Sequence, residues 1–174
     1  MLFRSQDKHL QLSKDLPINT HLAKLLVQRG IDTKEKAMSF FNPDLSDLHN
    51  PFLYPDMDLA VERIEKAFVK RERILVYGDY DVDGTTAVAL VYKFLRQFTK
   101  NIDYYIPDRY DEGYGVSYKG IEYAQETGVK LIIALDCGIK AIEKIEYAKK
   151  KGIDFIIGDH HTPDEQLPNA VAVV

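Results

Sequence analysis

Six side chains with the chemistry of metal ligands stand in three short clusters: Asp79, Asp81 and Asp83; Asp136; and His160 with His161. Carboxylates with one or two imidazoles and no thiolate suit Mn²⁺ first and Mg²⁺ second. They fit an all-oxygen calcium site poorly. A carboxylate cluster of this size could hold two ions about 3.5–4 Å apart, acidify a water between them and stabilise both oxygens of an in-line phosphoryl displacement. The chemistry expected is metal-assisted phosphoester hydrolysis. Each residue alone has a plainer role, since an Asp after a strand is most often a helix cap and a lone His is usually structural. Gathered together, six such groups would repel or stay unpaired without a cation.

The elements that must gather them begin at Arg73. Largely apolar stretches at 74–77, 102–106, 129–135 and 153–157 predict four strands, and 170–174 the start of a fifth. Amphipathic stretches at 85–98, 117–127 and 139–151 alternate with them, the last two closed by Gly128 and Gly152. This pattern predicts an α/β domain, doubly wound around a mainly parallel sheet. Ligands of such sheets bind beyond the carboxyl ends of the strands. There the sequence places Gly78-Asp79-Tyr80-Asp81-Val82-Asp83-Gly84, then Pro107-Asp108-Arg109 with Glu112-Gly113-Tyr114-Gly115. The later strands are followed by Asp136-Cys137-Gly138 and Gly158-Asp159-His160-His161. All four groups are expected at one edge.

Residues 1–57 read as a short helical N-terminal extension, and 58–174 as the catalytic domain. Thr20 is placed as the cap of a helix closed by Gly30, and Thr33 as the cap of another over 34–41, ended by Pro43. Segment 42–55, with three prolines and two asparagines, should be irregular. Asp58 is placed as the cap of a helix with Val61, Ile64, Ala67 and Phe68 on one face.

Competing motifs fail on their own terms. Asp79-x-Asp81-x-Asp83-Gly84 opens like an EF-hand loop, but Leu90 stands where the bidentate Glu is required and a strand precedes it. Gly113-x-Gly115-x-x-Tyr118 lacks the third glycine of a dinucleotide fingerprint, and neither a Walker A sequence nor a Gly-x-Ser-x-Gly elbow occurs. A Cys137–His160 nucleophilic pair is conceivable, but Cys137 reads better as packing beside Asp136. Arg109 could grip a phosphate bidentately or pair with Asp108 or Asp111. Gly113 and Gly115 would admit a phosphodiester close to the backbone, or simply make turns.

Composition sets outer bounds. The 174 residues suit one core, with 45% apolar and 29% charged residues. A net charge of −4 argues mildly against a free-standing nucleic-acid binder, unless bound cations reverse the local field. The single cysteine excludes an internal disulfide and a thiolate zinc cluster. Residues 1–12 carry no signal-peptide core and the aliphatic run at 131–135 is too short to span a bilayer. A cytoplasmic protein without membrane association is expected.

These motifs resemble those of the DHH phosphoesterase superfamily and, within it, the RecJ family. The glycine-flanked aspartates 79–83 resemble its first motif. Ile106-Pro107-Asp108-Arg109 with Glu112-Gly113-Tyr114-Gly115 resembles the second, Asp136-Cys137-Gly138 the third, and Asp159-His160-His161 the signature. Arg29-Gly30-Ile31 and the segment 40–55 are similar to that family's N-terminal region. The resemblance implies a 5′-to-3′ exonuclease on single-stranded DNA, using Mn²⁺ or Mg²⁺ in repair and recombination, with repair or single-strand-binding proteins as further partners. It implies that Asp81 serves one ion and Asp83 the other, that Asp136 bridges them and that His160 completes the second. Asp79 and His161 would stand in or beside the ligand set, either handling the water or the leaving oxygen, and Arg109 would contact substrate phosphate. The family also has a further aspartate ligand and a second domain downstream, so these residues are expected to bind metal incompletely alone. A phosphatase of short oligonucleotides or nucleoside bisphosphates, or a metal-free replication scaffold, are the rival expectations within the superfamily.

Overall fold

The structure is a computed structural model describing residues 4–174; the first three residues of the 1–12 stretch lie outside the described residues. The chain divides into two compact units, Met1–Asn50 and Pro51–Val174. In the first, α1 (Arg4–Asp15), α2 (Thr20–Gln28) and α3 (Lys34–Phe41) enclose a small core of Leu12, Leu16, Ala23, Leu26 and Ala37. Asn19, not Thr20, caps α2, its side chain accepting from Leu22 N at 2.8 Å. Thr33 caps α3 as expected. Asp32 ties α1 to α3 through Lys8 and through Lys36 at 2.7 Å.

The second unit contains α4 (Met57–Val69), β1 (Arg73–Gly78), α5 (Val82–Leu95), β2 (Ile102–Tyr105) and α6 (Tyr118–Glu126). It continues with β3 (Val129–Leu135), α7 (Ile142–Lys150), β4 (Asp154–Gly158) and β5 (Ala172–Val173). The strands form one sheet in the order β2-β1-β3-β4-β5, every neighbouring pair parallel. This is the expected α/β architecture.

Strand alternation divides the core into two layers. Leu75, Tyr77, Ile132, Ala134, Phe155 and Ile157 pack with Ile121 and Ala124 of α6 and Ile145 and Ala148 of α7. Ile74, Val76, Leu131, Ile133 and Ile156 pack on the other side with Ala60 and Ala67 of α4 and Val88 and Leu95 of α5. A strand that buries both faces reads as an unbroken aliphatic run, which is why β3 is legible from end to end.

Helix starts differ from expectation, and each difference has a cause. α5 begins at Val82 rather than residue 85 because Asp81 caps it, accepting from Gly84 N at 2.9 Å. α4 begins at Met57: Asp56 sits at its N-cap in left-handed conformation (φ 57°), and Asp58 lies in the first turn. The Asp56 carboxylate instead accepts from Val173 N at 3.2 Å. α7 starts at Ile142, after a turn closed by Ala141 N to Gly138 O at 2.9 Å. Strand order reverses between β1 and β3, so the loops leaving these two strands diverge and open a crevice at their carboxyl ends.

Candidate metal centre

Beyond β1, Asp79 is completely buried. Its Oδ1 accepts from Tyr80 N at 2.8 Å, whereas its Oδ2 has no partner among the described residues. An orphaned buried carboxylate oxygen is costly unless something cationic approaches it. Asp81 is committed to capping through one oxygen, and Asp83 follows in the exposed first turn of α5. Two glycines hold this segment close. A Cβ on Gly84 would lie 2.5 Å from Asp79 O, and one on Gly78 would lie 2.3 Å from Val88 Cγ2.

Beyond β3, Asp136 adopts φ 58° and is nearly buried, its amide bonded to Gly158 O at 2.8 Å. Its Oδ1 lies 3.0 Å from His160 Nε2. Burial first, and then the charge of Asp81, raise its pKa above the ordinary carboxylate value. The ionised site is therefore short of positive charge. Ligand atoms of Asp136, His160 and His161 all lie within 4.8 Å of one another.

Beyond β4, Asp159 organises the histidine pair. Its Oδ1 accepts from His161 N at 3.1 Å and lies 2.7 Å from His161 Nδ1, while Oδ2 accepts from Ile139 N at 3.0 Å. Burial pushes Asp159 upward, but these hydrogen bonds outweigh it and hold the carboxyl below its usual range. The Asp159 hydrogen bond in turn raises His161. With Nδ1 held, His161 Nε2 lies 3.3 Å from Tyr114 OH.

The loop between β2 and α6 forms the rim, and Glu112 fastens it. Its carboxylate accepts from Tyr105 OH at 2.9 Å, from Asp108 N at 2.9 Å and from Ser117 Oγ. Tyr77 OH, from the core, donates to Gly115 O at 3.0 Å and accepts from Ser117 N at 3.1 Å. Gly113 and Gly115 take φ 77° and 76°, conformations that favour glycine. The Arg109 guanidinium lies 5.3 Å from the Tyr80 ring centroid. Among the described residues it has no ion pair with Asp108 or Asp111; Asp108 instead accepts from Tyr110 N and Asp111 N.

The structure thus brings Asp136, His160 and His161 into contact distance, with Asp81 and Asp83 near enough for their charges to act on Asp136. Asp79 lies beneath, with a free oxygen. Arg109, Gly113 and Gly115 stand on the rim loop and do not join the cluster. Cys137 is buried and burial pushes its thiol far up, so it packs rather than reacts. Sequence reading missed Asp159, Glu112 and Tyr114 as organising residues. An Asp two residues before His161 is an Asx-turn signal that marks Asp159 in retrospect. Clustered acids, imidazoles and an unpartnered buried oxygen fit a divalent cation.

The chain belongs to the DHH family: residues 73–174 match the DHH family, N-terminal domain. It is 41% identical over 169 residues to the single-stranded-DNA-specific exonuclease RecJ of Bacillus subtilis (strain 168), covering 97% of this chain and 22% of that protein. The chain therefore spans about a fifth of that curated relative's length. A solved structure of exonuclease RecJ bound to manganese is similar at TM-score 0.61 and 33% identity, over 66% of this chain and 29% of the other. RecJ from Thermus thermophilus in complex with Mn²⁺ shares the fold at TM-score 0.69 and 24% identity, over 95% of this chain and 23% of the other.

Proposed function

We propose that this chain is the metal-binding portion of a 5′-to-3′ exonuclease acting on single-stranded DNA in recombination and repair. The observation that carries this is the meeting of Asp136, His160 and His161 at the sheet edge, in a chain 41% identical to a single-stranded-DNA-specific exonuclease. Asp79, Asp81, Asp83, Asp136 and His160 would hold Mn²⁺ or Mg²⁺. When bound, the ions would polarise the scissile phosphate and acidify a water. On this reading Asp136 would serve both ions, Asp81 one of them, and Asp83 with His160 the other.

His161 presents Nε2 while Asp159 holds Nδ1, a tautomer suited to moving a proton at the attacking water or the leaving oxygen. Tyr114 OH steadies that nitrogen. Arg109 would grip a substrate phosphate, with the Gly113 and Gly115 backbone admitting the strand closely. Among the described residues no helix is long and apolar enough to cross a membrane. A cytoplasmic location and association with repair or single-strand-binding proteins belong to the same proposal.

The test gives the full-length protein and Mn²⁺ long single strands and oligonucleotides of two to five residues. Mononucleotides should appear from the 5′ end of the long strands, and Asp136→Ala should lower the rate by about a hundredfold or more. A strong preference for the short substrates would point to an oligonucleotide phosphatase. Unchanged cleavage by Asp136→Ala would remove the cluster from the mechanism.

A further inference from the structure

Two clefts flank the Asp136–His160–His161 cluster, and they differ in charge. One, of about 410 Å³, is lined on its polar side by Asp83, Asp136, Asp159 and His160, with no lysine or arginine. The other, of about 480 Å³, starts at Asp159 and His161 and opens between the Tyr114 segment and the start of α7. It carries Lys140 and Lys144, and Val116, Ile139 and Ala141 supply apolar wall. Its volume lies within the ~300–1,000 Å³ of sites that enclose small organic ligands.

We propose that this second cleft is a nucleotide subsite, seating the nucleotide next to the reacting phosphate. The base packs against Tyr114 and the apolar wall, and its phosphate rests on Lys140 and Lys144. The inference rests on the nuclease reading and adds the side of the centre on which a nucleotide sits and the residues that hold it.

The lysines are available for this role. Lys140 Nζ lies 3.5 Å from Asp164, with both side chains more than half exposed, a pair that contributes little and exchanges readily. Lys144 Nζ lies 6.0 Å from the Tyr118 ring centroid, the far limit of a cation–π contact. The cleft's one carboxylate, Asp159, is engaged by His161 and the Ile139 amide and does not compete for them. The α7 N-terminus adds a favourable dipole on the same side. Cys137, at the back, is buried and contributes surface only. A polyanion drawn towards a cluster of acids needs cations beside it, and this cleft places two there.

The test uses the full-length protein, its Lys140→Ala/Lys144→Ala variant and a Lys140→Arg/Lys144→Arg variant. Each is titrated calorimetrically with Mg²⁺, then with dTMP and with thymidine in Mg²⁺. The alanine pair should weaken dTMP about tenfold, leave thymidine and Mg²⁺ binding unchanged, and be rescued by the arginine pair. It should also flatten the salt dependence of oligo-dT binding by ~0.7 log units per decade of salt for each phosphate no longer neutralised. Equal dTMP affinity in wild type and the alanine pair, or no dTMP binding at all, would overturn the subsite even if the enzyme degrades DNA. Lysine-dependent dTMP binding in a protein without nuclease activity would uphold the subsite and defeat the nuclease reading instead.

Discussion

The two ends of the sheet handle charge in opposite ways. At the amino end, buried Arg63 from α4 bonds Asp154 at 2.6 Å and the Lys130 carbonyl at 3.3 Å, and lies 2.7 Å from Glu72 outside hydrogen-bond geometry. Arg73 meets Asp103 at 3.2 Å, and Tyr123 OH donates to the same carboxylate. At the carboxyl end, Asp79, Asp81, Asp83 and Asp136 collect with two histidines, while the nearby Arg109 stacks on Tyr80. One end is neutralised from within the chain. The other gathers acids with no lysine or arginine ion pair among the described residues, and that contrast separates a structural ion cluster from one suited to a cation from outside.

The largest way to break the contrast is to remove the internal counter-charge. Arg63→Met should lower stability by ~3 kcal/mol in urea unfolding, the low end for a buried pair, since it strands Glu72 while the 43% exposed Asp154 keeps solvent. Mn²⁺ affinity should remain. At the carboxyl end the sign reverses: Mn²⁺ at about 100 times its dissociation constant should add ~2.7 kcal/mol to unfolding. Asp136→Asn should erase most of that gain, and Asn tolerates the left-handed backbone that residue 136 requires. A metal-induced rise in Tm that survives Asp136→Asn would place the cation elsewhere.

Smaller effects sharpen the picture. Glu112→Ala leaves Tyr105 OH, Ser117 Oγ and the Asp108 amide without their acceptor and should cost ~1–3 kcal/mol, with a raised KM for DNA as the rim loosens. The smallest effect is on pH. Ionised Asp136, its pKa raised, costs the metal-free protein stability at neutral pH, a cost relieved as pH falls through its folded value. Asp159 and Glu112, both lowered, contribute stability above the ordinary carboxylate range and lose it as pH falls through their folded values. A melting series without metal should rise slightly on acidification and then fall. Asp136→Asn should remove only the rise.

Much of this was legible in the sequence because burial on both faces makes the inner strands β1, β3 and β4 largely apolar, and the strand ends then mark the site. The start of α5 was not: Asp81 is at once a predicted ligand and a helix cap, and the first role hid the second. α1 escaped because Met1-Leu2-Phe3 ahead of it offer no capping side chain and no glycine closes it. Glu112 and Tyr114 were quoted in a motif without a role, since what they touch, Tyr105 and Ser117 for one and His161 for the other, is set by tertiary packing. Asp159 was hidden the same way, because its partner Ile139 lies twenty residues earlier on another loop.

Gly84 sits so close to Asp79 that even a methyl group there would drive α5 off the end of β1. That wall of the crevice cannot be retuned by sliding or widening. The opposite bank carries no approach this tight: a Cβ on Gly113 would meet nothing within 4 Å, and one on Gly115 only the Cys137 Cβ at 3.9 Å. Added bulk is therefore excluded at the wall that carries Asp79, Asp81 and Asp83 and finds space on the facing one.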